Sequence, residues 1–465
     1  MNNLLRTCAV ALIALFCWFS AVSRDLGPSF ADSNKDAVYV NSIAPDRGLA
    51  DPHVLIVNDT LYVMCGHDAS WFTHTTCHMD RWELWSTTNL RDWSYILSIR
   101  NVDTYMGDQP NCWAGDLDTK DGKYYWYFSN KFHNTGVMVA PSMHGPWKDA
   151  LGEPLLPTGI IGKGKPYDPE IYVENDEHYI IFGAGVYYIA TLGDDMISLK
   201  DKPRAIKVVN KDGSFRGTAD KPTMFKRNGI YYLVWGELYA MSDKLEGPYT
   251  FEGEFIYGGH GSVFEWKGQW YTIQEHHEGN AFYRGVQLQP LYFHEDGRVR
   301  VPEKNFEYPM PERLYDFKYT SQGWHCEGGG TDVKRREDGC VYLYGDVAKE
   351  GAIIASIPYL HTEIALCDRV SIKIHNESGA KKMRLALYTY ESAFRFTDNN
   401  PQQVDWSTQE WVDIPLSGRW EEEITIPLSA FKTKKRYLHQ IALQPIADKS
   451  EGRWVLISLH VKEKK

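Results

Sequence analysis

Five times in this chain a tight turn is followed by a tyrosine at the same offset: Asp59 to Tyr62, Gly122 to Tyr125, Asp176 to Tyr179, Gly229 to Tyr232 and Gly268 to Tyr271. Each mark lies between two short apolar runs, which is the signal of a β-hairpin. The last copy shows the pattern most fully. His260 and Ser262 lead into an alternating strand (Val263, Trp266), Lys267-Gly268 turns, and Trp270, Tyr271 and Ile273 return toward Glu275, His276, His277 and Glu278. A single hairpin of this kind reads as one with solvated ends. Repetition every 40–60 residues or so reads as the blades of a propeller, whose equivalent strands line one central channel. Eleven positions before the tyrosines stand Asp51, Ala114, Asp168, Lys221 (with Asp220 beside it) and His260. One strand entrance therefore recurs five times and in four units carries or adjoins a titratable group, so residues distant in sequence are expected to converge.

Composition agrees with sheets. Of 465 residues, 43% are hydrophobic and 14% aromatic, with 16 Trp and 29 Tyr, rings that also suit the flat faces of sugars. The net charge is −11 and no basic run occurs, which argues against a nucleic-acid partner. Residues 1–23 combine Arg6, an apolar run to Phe19 and the small residues Ala21-Val22-Ser23, the pattern of a secretory signal peptide rather than a spanning helix. No later stretch is apolar enough to span a membrane. A secreted or periplasmic location follows as an expectation, and with it disulfides. Cys65 with Cys77, and Cys326 with Cys340, are the pairs favoured by closeness in sequence. Cys65, His67, Cys77 and His78 match no zinc-ligand spacing well.

A short segment, 24–39, precedes the units, which occupy 40–305. Asp51-Pro52 and Asp168-Pro169 place a proline where a strand begins, the position that tolerates it. Pro302, Pro309 and Pro311 mark a seam. Beyond it, 306–465 read as short alternating strands (369–374, 383–388, 422–426, 440–444 and 454–461), an antiparallel β-sandwich of jelly-roll type. There Trp406, Trp411 and Trp420 are candidates for a sugar platform, with ordinary core packing as the alternative. The expected fold is thus all-β: a five-bladed β-propeller followed by a β-sandwich.

Residues 40–305 resemble the propeller glycosidases of glycoside hydrolase family 43 and the related family 117. The resemblance rests on Ala50-Asp51-Pro52, Cys112-Trp113-Ala114, Tyr167-Asp168-Pro169-Glu170, the run Lys226 to Leu233, His260 to Phe264, and Arg284. It implies an inverting hydrolase whose base is Asp51, whose orienting carboxylate is Asp168 and whose acid stands at Asp220. The family's acid is Glu followed by Gly-Pro, whereas this chain reads Asp220-Lys221-Pro222. Similarity to family 117 implies instead that His277 is the acid, with Asp220 and Glu278 fixing sugar and imidazole. Trp113, Glu237, Glu275, His276, Glu278 and Arg284 are candidate sugar contacts. His260 is implied to lie near a structural Ca2+ or its waters, or else to bond only to backbone; no cofactor is needed for the chemistry. The expected partner is an oligosaccharide or polysaccharide from plant or algal walls, cleaved from its end at an arabinoside, xyloside, galactoside or anhydrogalactoside. The alternative is an inactive propeller that only binds sugar.

Overall fold

The computed structural model describes residues 37–301 except 41, 70–76, 257 and 281. It also describes 313–464 except 318–320, 328–330, 336–340, 347–352, 358–359, 361, 392–403 and 446–452. The leader and the pair Cys326–Cys340 lie outside what can be described. Among the described residues no helix is long and apolar enough to cross a membrane.

Five sheets follow one another, antiparallel except for one short parallel pairing in the fourth. Blade 1 holds β1 (Leu49–Val57), β2 (Thr60–Asp68), β3 (Met79–Thr87) and β4 (Ser94–Arg100). Blade 2 holds β5 (Cys112–Lys120), β6 (Lys123–Asn130), β7 (Asn134–Ala140) and β8 (Lys148–Asp149). Blade 3 holds β9 (Glu170–Glu174), β10 (Glu177–Ala184), β11 (Val186–Thr191) and β12 (Arg204–Ile206). Blade 4 holds β13 (Val208–Val209), β14 (Thr223–Arg227), β15 (Ile230–Trp235), β16 (Leu238–Ser242) and β17 (Tyr249–Glu254). Blade 5 holds β18 (Gly261–Trp266), β19 (Gln269–Asn280) and β20 (Tyr283–Leu291).

The repeat has a simple local cause. The first hairpin of every blade turns on two residues with positive φ: Asn58-Asp59, Asp121-Gly122, Asn175-Asp176, Asn228-Gly229 and Lys267-Gly268. Two left-handed residues make the turn whose twist matches that of the flanking strands, and Asn, Asp and Gly reach it at least cost. The following tyrosine is then locked in register, as in the pairings Leu55↔Tyr62 and Phe264↔Tyr271. Apolar clusters fill the seams between neighbouring blades; Leu61 and Val63 of blade 1, for example, meet Phe264 and Ile273 of blade 5. The ring is closed by the chain ahead of blade 1. Val40 and Leu288 exchange backbone hydrogen bonds of 3.0 and 2.8 Å, which pairs the segment with the free side of β20.

The expected disulfide between Cys65 and Cys77 is not formed; both are free thiols. Cys65 packs into the seam between blades 1 and 5, while Cys77 packs against the seam between blades 1 and 2. The two sulfurs are thus committed to different sides of the blade. His67 is likewise engaged, its Nδ1 lying 2.8 Å from Asp80.

The second unit is a sandwich of two sheets. Its strands are β21 (Arg313–Tyr315), β22 (His325–Glu327), β23 (Thr331–Arg335), β24 (Val341–Asp346), β25 (Ile353–Ala355) and β26 (Thr362–Glu363). They continue with β27 (Cys367–Asn376), β28 (Lys382–Tyr390), β29 (Trp411–Pro415), β30 (Glu421–Pro427), β31 (Tyr437–Pro445) and β32 (Arg453–Glu463). One sheet runs β23-β24-β32-β27-β30 and the other β22-β25-β31-β28-β29. The three tryptophans do not form one platform. Trp406 is buried against Trp411 beside one sheet. Trp420 is 59% exposed and stacks on His375 of β27, in the other sheet.

The sandwich grips the segment that leads into β1. Arg313 Nη1 lies 2.7 Å from Asp46 Oδ1 with both side chains buried, and Tyr283 of blade 5 donates to Asp46 O at 2.8 Å while packing in the sandwich core. The second unit therefore braces the approach to Asp51.

Candidate active site

Asp51 and Asp168 occupy equivalent strand starts, and both are forced into the left-handed region, at φ +49° and +55°. A residue before proline is confined by the proline ring, and a non-glycine residue at such a φ is strained by about 1–3 kcal/mol. In blade 4 the position belongs to Lys221, at φ +52°, which leaves Asp220 one step outward. This one-step offset separates the roles. Lys221 turns into the hub, where its Nζ lies 2.9 Å from Pro222 O, 3.3 Å from Glu170 Oε2 and 3.4 Å from Pro169 O. Asp220 stays at the mouth with a side chain 38% exposed. Lys221 thus faces away from Asp220, and the neighbour that lowers the Asp220 pKa is His260.

His260 joins two carboxylates. Its Nδ1 lies 2.7 Å from Asp51 Oδ1 and its Nε2 3.2 Å from Asp220 Oδ1. Burial works against charge on the ring, but Glu275, Asp220 and Asp51 around it raise its pKa well above the usual value. An imidazolium then donates through both nitrogens. Burial would raise Asp51, yet Arg284 and the His260 hydrogen bond hold it far below the ordinary carboxylate range. Asp220 feels the same two opposing effects, burial upward and His260 downward, and ends below its usual value. Tyr167 completes its shell by donating to Oδ2 at 3.2 Å.

Asp168 is the opposite case. It is buried, its backbone N–H donates to Ser129 Oγ at 2.7 Å, and its Oδ2 has no hydrogen-bond partner. Burial, with Asp220 and Asp51 nearby and His260 only partly opposing, pushes it up to about 7.

Arg284 and Glu275 were expected to touch sugar; both are buried and spent on carboxylates and backbone. The Arg284 guanidinium forks onto Asp68 with two 2.9 Å bonds, while Nη1 lies 2.8 Å from Glu275 Oε2 and 3.5 Å from Asp51 Oδ1. Glu275 Oε2 also accepts the strained Asp51 N–H at 3.2 Å. Gly259 permits this, since a Cβ there would lie 2.4 Å from Glu275 Oε1. The pair is a clamp that shapes the Asp51 backbone. His276 is half-buried on β19, opposite Gly285. The backbone of His277 pairs with that of Arg284, but the side chains of His277 and Glu278 lie outside the described residues. Glu237 is exposed in the turn between β15 and β16. Trp113 is half-buried at the start of β5, in a bulge like that at Asp51, and its indole N–H donates to Cys77 O at 3.4 Å.

Below the mouth lies a second polar layer, formed by His53, Asp116, Glu170 and Lys221. His53 Nδ1 is 3.1 Å from Asp116 Oδ1 and 3.6 Å from Glu170 Oε2. Burial first, then mutual repulsion, raises Glu170 to about 7, and burial raises Asp116 to about 7. Sequence reasoning passed over His53, Glu170 and Tyr167 as site members although each adjoins or nearly adjoins a strand-start aspartate. That adjacency was the available signal.

Among the described residues three groupings have metal-like spacing: Asp51, His260 and Glu275; His53, Asp116 and Glu170; and Asp168, Asp220 and His260. Arg284 already lies against the first and Lys221 against the second. Both nitrogens of His260 are committed, so a Ca2+ held through this ring would first have to break one of its bonds. The donor set does not suit a cation bound by His260. Lys221→Met should expose the counter-charge role of the lysine. Unpairing a buried ion costs about 3–5 kcal/mol, so the melting temperature is expected to fall by roughly 5 °C or more. Thermal denaturation of the variant showing a change under about 2 °C would contradict this.

A ring of five sheets with carboxylates gathered at one mouth of its channel is the architecture of a propeller glycosidase. The family model for glycosyl hydrolases family 43 matches residues 41–299, and the chain belongs to that family. It is a glycoside hydrolase. A xylosidase/arabinosidase of Bacteroides ovatus is 25% identical over 323 residues, covering 55% of this chain and 95% of the relative. Among solved structures, a calcium-free β-xylosidase/α-arabinofuranosidase from a compost metagenome, with xylotriose bound, superposes with a TM-score of 0.52 at 22% identity. That match covers 58% of this chain and 100% of the other. An arabinoxylan arabinofuranohydrolase of Bacillus subtilis, in complex with cellotetraose, has a TM-score of 0.50 at 17% identity, over 91% of this chain and 97% of its own.

Proposed function

We propose that the protein is an exported, exo-acting glycosidase that inverts the anomeric centre of a terminal sugar on a plant or algal wall glycan. The observation that carries this is the His260 bridge. Two hydrogen bonds and the width of one imidazole ring separate Asp51 from Asp220. That spacing suits the range of about 6.5–9.5 Å that leaves room for an attacking water, rather than the range of about 5–5.5 Å used by retaining enzymes.

In this reading Asp51, strongly ionised, takes a proton from water as the water attacks the anomeric carbon. Asp220, at the open end, protonates the departing oxygen. In the free site the shared proton rests on His260. Sugar covering Asp220 removes its water and raises its proton affinity, so the proton can move across the bond from Nε2. Asp168, buried beside Asp220 with its pKa raised to about 7, is placed to modulate the ionisation of the acid rather than to touch the sugar. Positive charge is supplied by His260, Arg284 and Lys221, so the chemistry requires no metal. The leader-like residues 1–23 support export, and the name of the Bacteroides ovatus relative supports terminal xylose or arabinose as the sugar released.

The test is hydrolysis of a panel of xylosides, arabinosides, galactosides and anhydrogalactosides with the product anomer followed by proton NMR. The first product formed should carry the anomeric configuration opposite to that of the substrate. Product of unchanged configuration would remove the inverting assignment. Binding without turnover across the whole panel would support a sugar-binding propeller instead.

A further inference from the structure

We propose that the rim of the site over blades 2 and 3 binds a negatively charged sugar, one bearing a carboxylate or a sulfate ester. The inference rests on the glycosidase reading above and names its substrate class more closely. The rim is built from three segments that all emerge at the mouth: the start of β5, the turn after β6 and the approach to β9. Trp113 from the first meets Phe132 from the second edge-on, with ring centroids 6.1 Å apart. Two ammonium groups are laid over this pair. Lys131 Nζ is 5.4 Å from the Phe132 centroid and 5.8 Å from that of Trp113, and Lys165 Nζ is 4.0 Å from the Phe132 centroid on the third segment.

Attraction to ring faces holds the cations in place without neutralising them. Among the described residues neither lysine has a carboxylate partner. Lys200, Lys226 and Lys382 show the contrast, since each is within 3.2 Å of an acidic side chain. In a chain of net charge −11, an anionic glycan is repelled on average, so a pair of unneutralised cations beside the mouth matters for which ligand docks.

The rim is also connected to the reacting groups. Lys165 O accepts the Tyr167 N–H at 3.1 Å, and the Tyr167 hydroxyl reaches Asp220. On the other side Trp113 reaches Cys77 O, next to the end of the blade that carries Asp51. A glycan crossing from the mouth over blades 2 and 3 would pass above the Trp113–Phe132 pair, with an acidic substituent within reach of both lysines. Lysine suits this task as a point charge with free rotation, so either anion geometry can be met.

The experiment measures binding by calorimetry, using Asp51→Asn protein so that substrate persists. Three ligands are compared: neutral xylo-oligosaccharides, glucuronosylated xylo-oligosaccharides and sulfated galacto-oligosaccharides. One anionic series should bind about tenfold more tightly than the neutral one at low salt, and the advantage should shrink as salt is added. The series that gains identifies carboxylate or sulfate as the group recognised. Adding Lys131→Met and Lys165→Met should abolish that advantage and its salt dependence. In otherwise wild-type protein the same two changes should leave turnover of a small neutral aryl glycoside unaltered. Equal or tighter binding of the neutral series, or an advantage that survives both substitutions, would overturn the proposal. Hydrolysis of the aryl glycoside tests the glycosidase reading separately.

Discussion

Asp51→Asn should lower kcat about a thousandfold while KM and folding stay close to those of the parent protein. The magnitude is that of losing a general base, about 10²–10⁴ in rate. Asparagine keeps the side-chain oxygen that faces His260 and leaves the backbone bond to Glu275 intact, so the strained turn should persist. Arg284 loses one of three carboxylate neighbours but keeps Asp68 and Glu275, which limits the cost to stability. The result is read from initial rates on an activated aryl glycoside, with melting curves as the control for folding. A variant keeping a tenth of the parental rate would mean that another group activates the water.

The second expected result concerns the acid. Asp220→Ala should lose about 10²–10⁴ in rate on a natural glycan, whose leaving oxygen must be protonated, and far less on an aryl glycoside, whose leaving group needs little help. Asp220 is half of the bridge through His260, and its other oxygen is held by Tyr167, so it is aimed at the mouth. His277 is the competitor suggested by the sequence. If His277→Ala shows the selective loss and Asp220→Ala loses both activities alike, the acid is His277 and Asp220 holds the sugar. A slope of log kcat against leaving-group pKa that is steeper in one variant than in the parent identifies the acid without knowledge of the natural substrate. Asp220→Ala also removes a partner of His260, so that change should lower the His260 ionisation seen in the pH–rate profile.

Much of this architecture is local. Each blade begins with a hairpin whose turn residues choose a left-handed conformation on their own account, so five turn-plus-tyrosine marks were enough to count blades and to align their strand starts. Proline after Asp51 and Asp168 is a local constraint too, and it placed both aspartates near strand starts: Asp51 is third in β1 and Asp168 lies two residues ahead of β9. The switch to short alternating strands beyond the prolines near 302–311 likewise foretold the sandwich.

What the sequence could not decide was which way side chains at those aligned positions face and what they meet. A period of two tells which residues share a face, but it does not tell which neighbour from another blade lies opposite. Asp220 and Lys221 are adjacent, and only the backbone twist at Lys221 sends one to the mouth and the other into the hub. His260 is 209 positions from Asp51 and 40 from Asp220, and its role as a bridge exists only once the ring has closed. Cys65 and Cys77 are near in sequence yet packed into different seams, because Cys65 follows the alternation of β2 while Cys77 lies in the connection ahead of β3. Arg284 and Glu275 looked like sugar contacts because they are polar and stand at strand ends. Ring closure buries them, and a buried charge must be met by another charge. Position along the chain was therefore determined by local turn chemistry, and function by long-range burial and charge pairing, which depend on partners that only the closed propeller brings together.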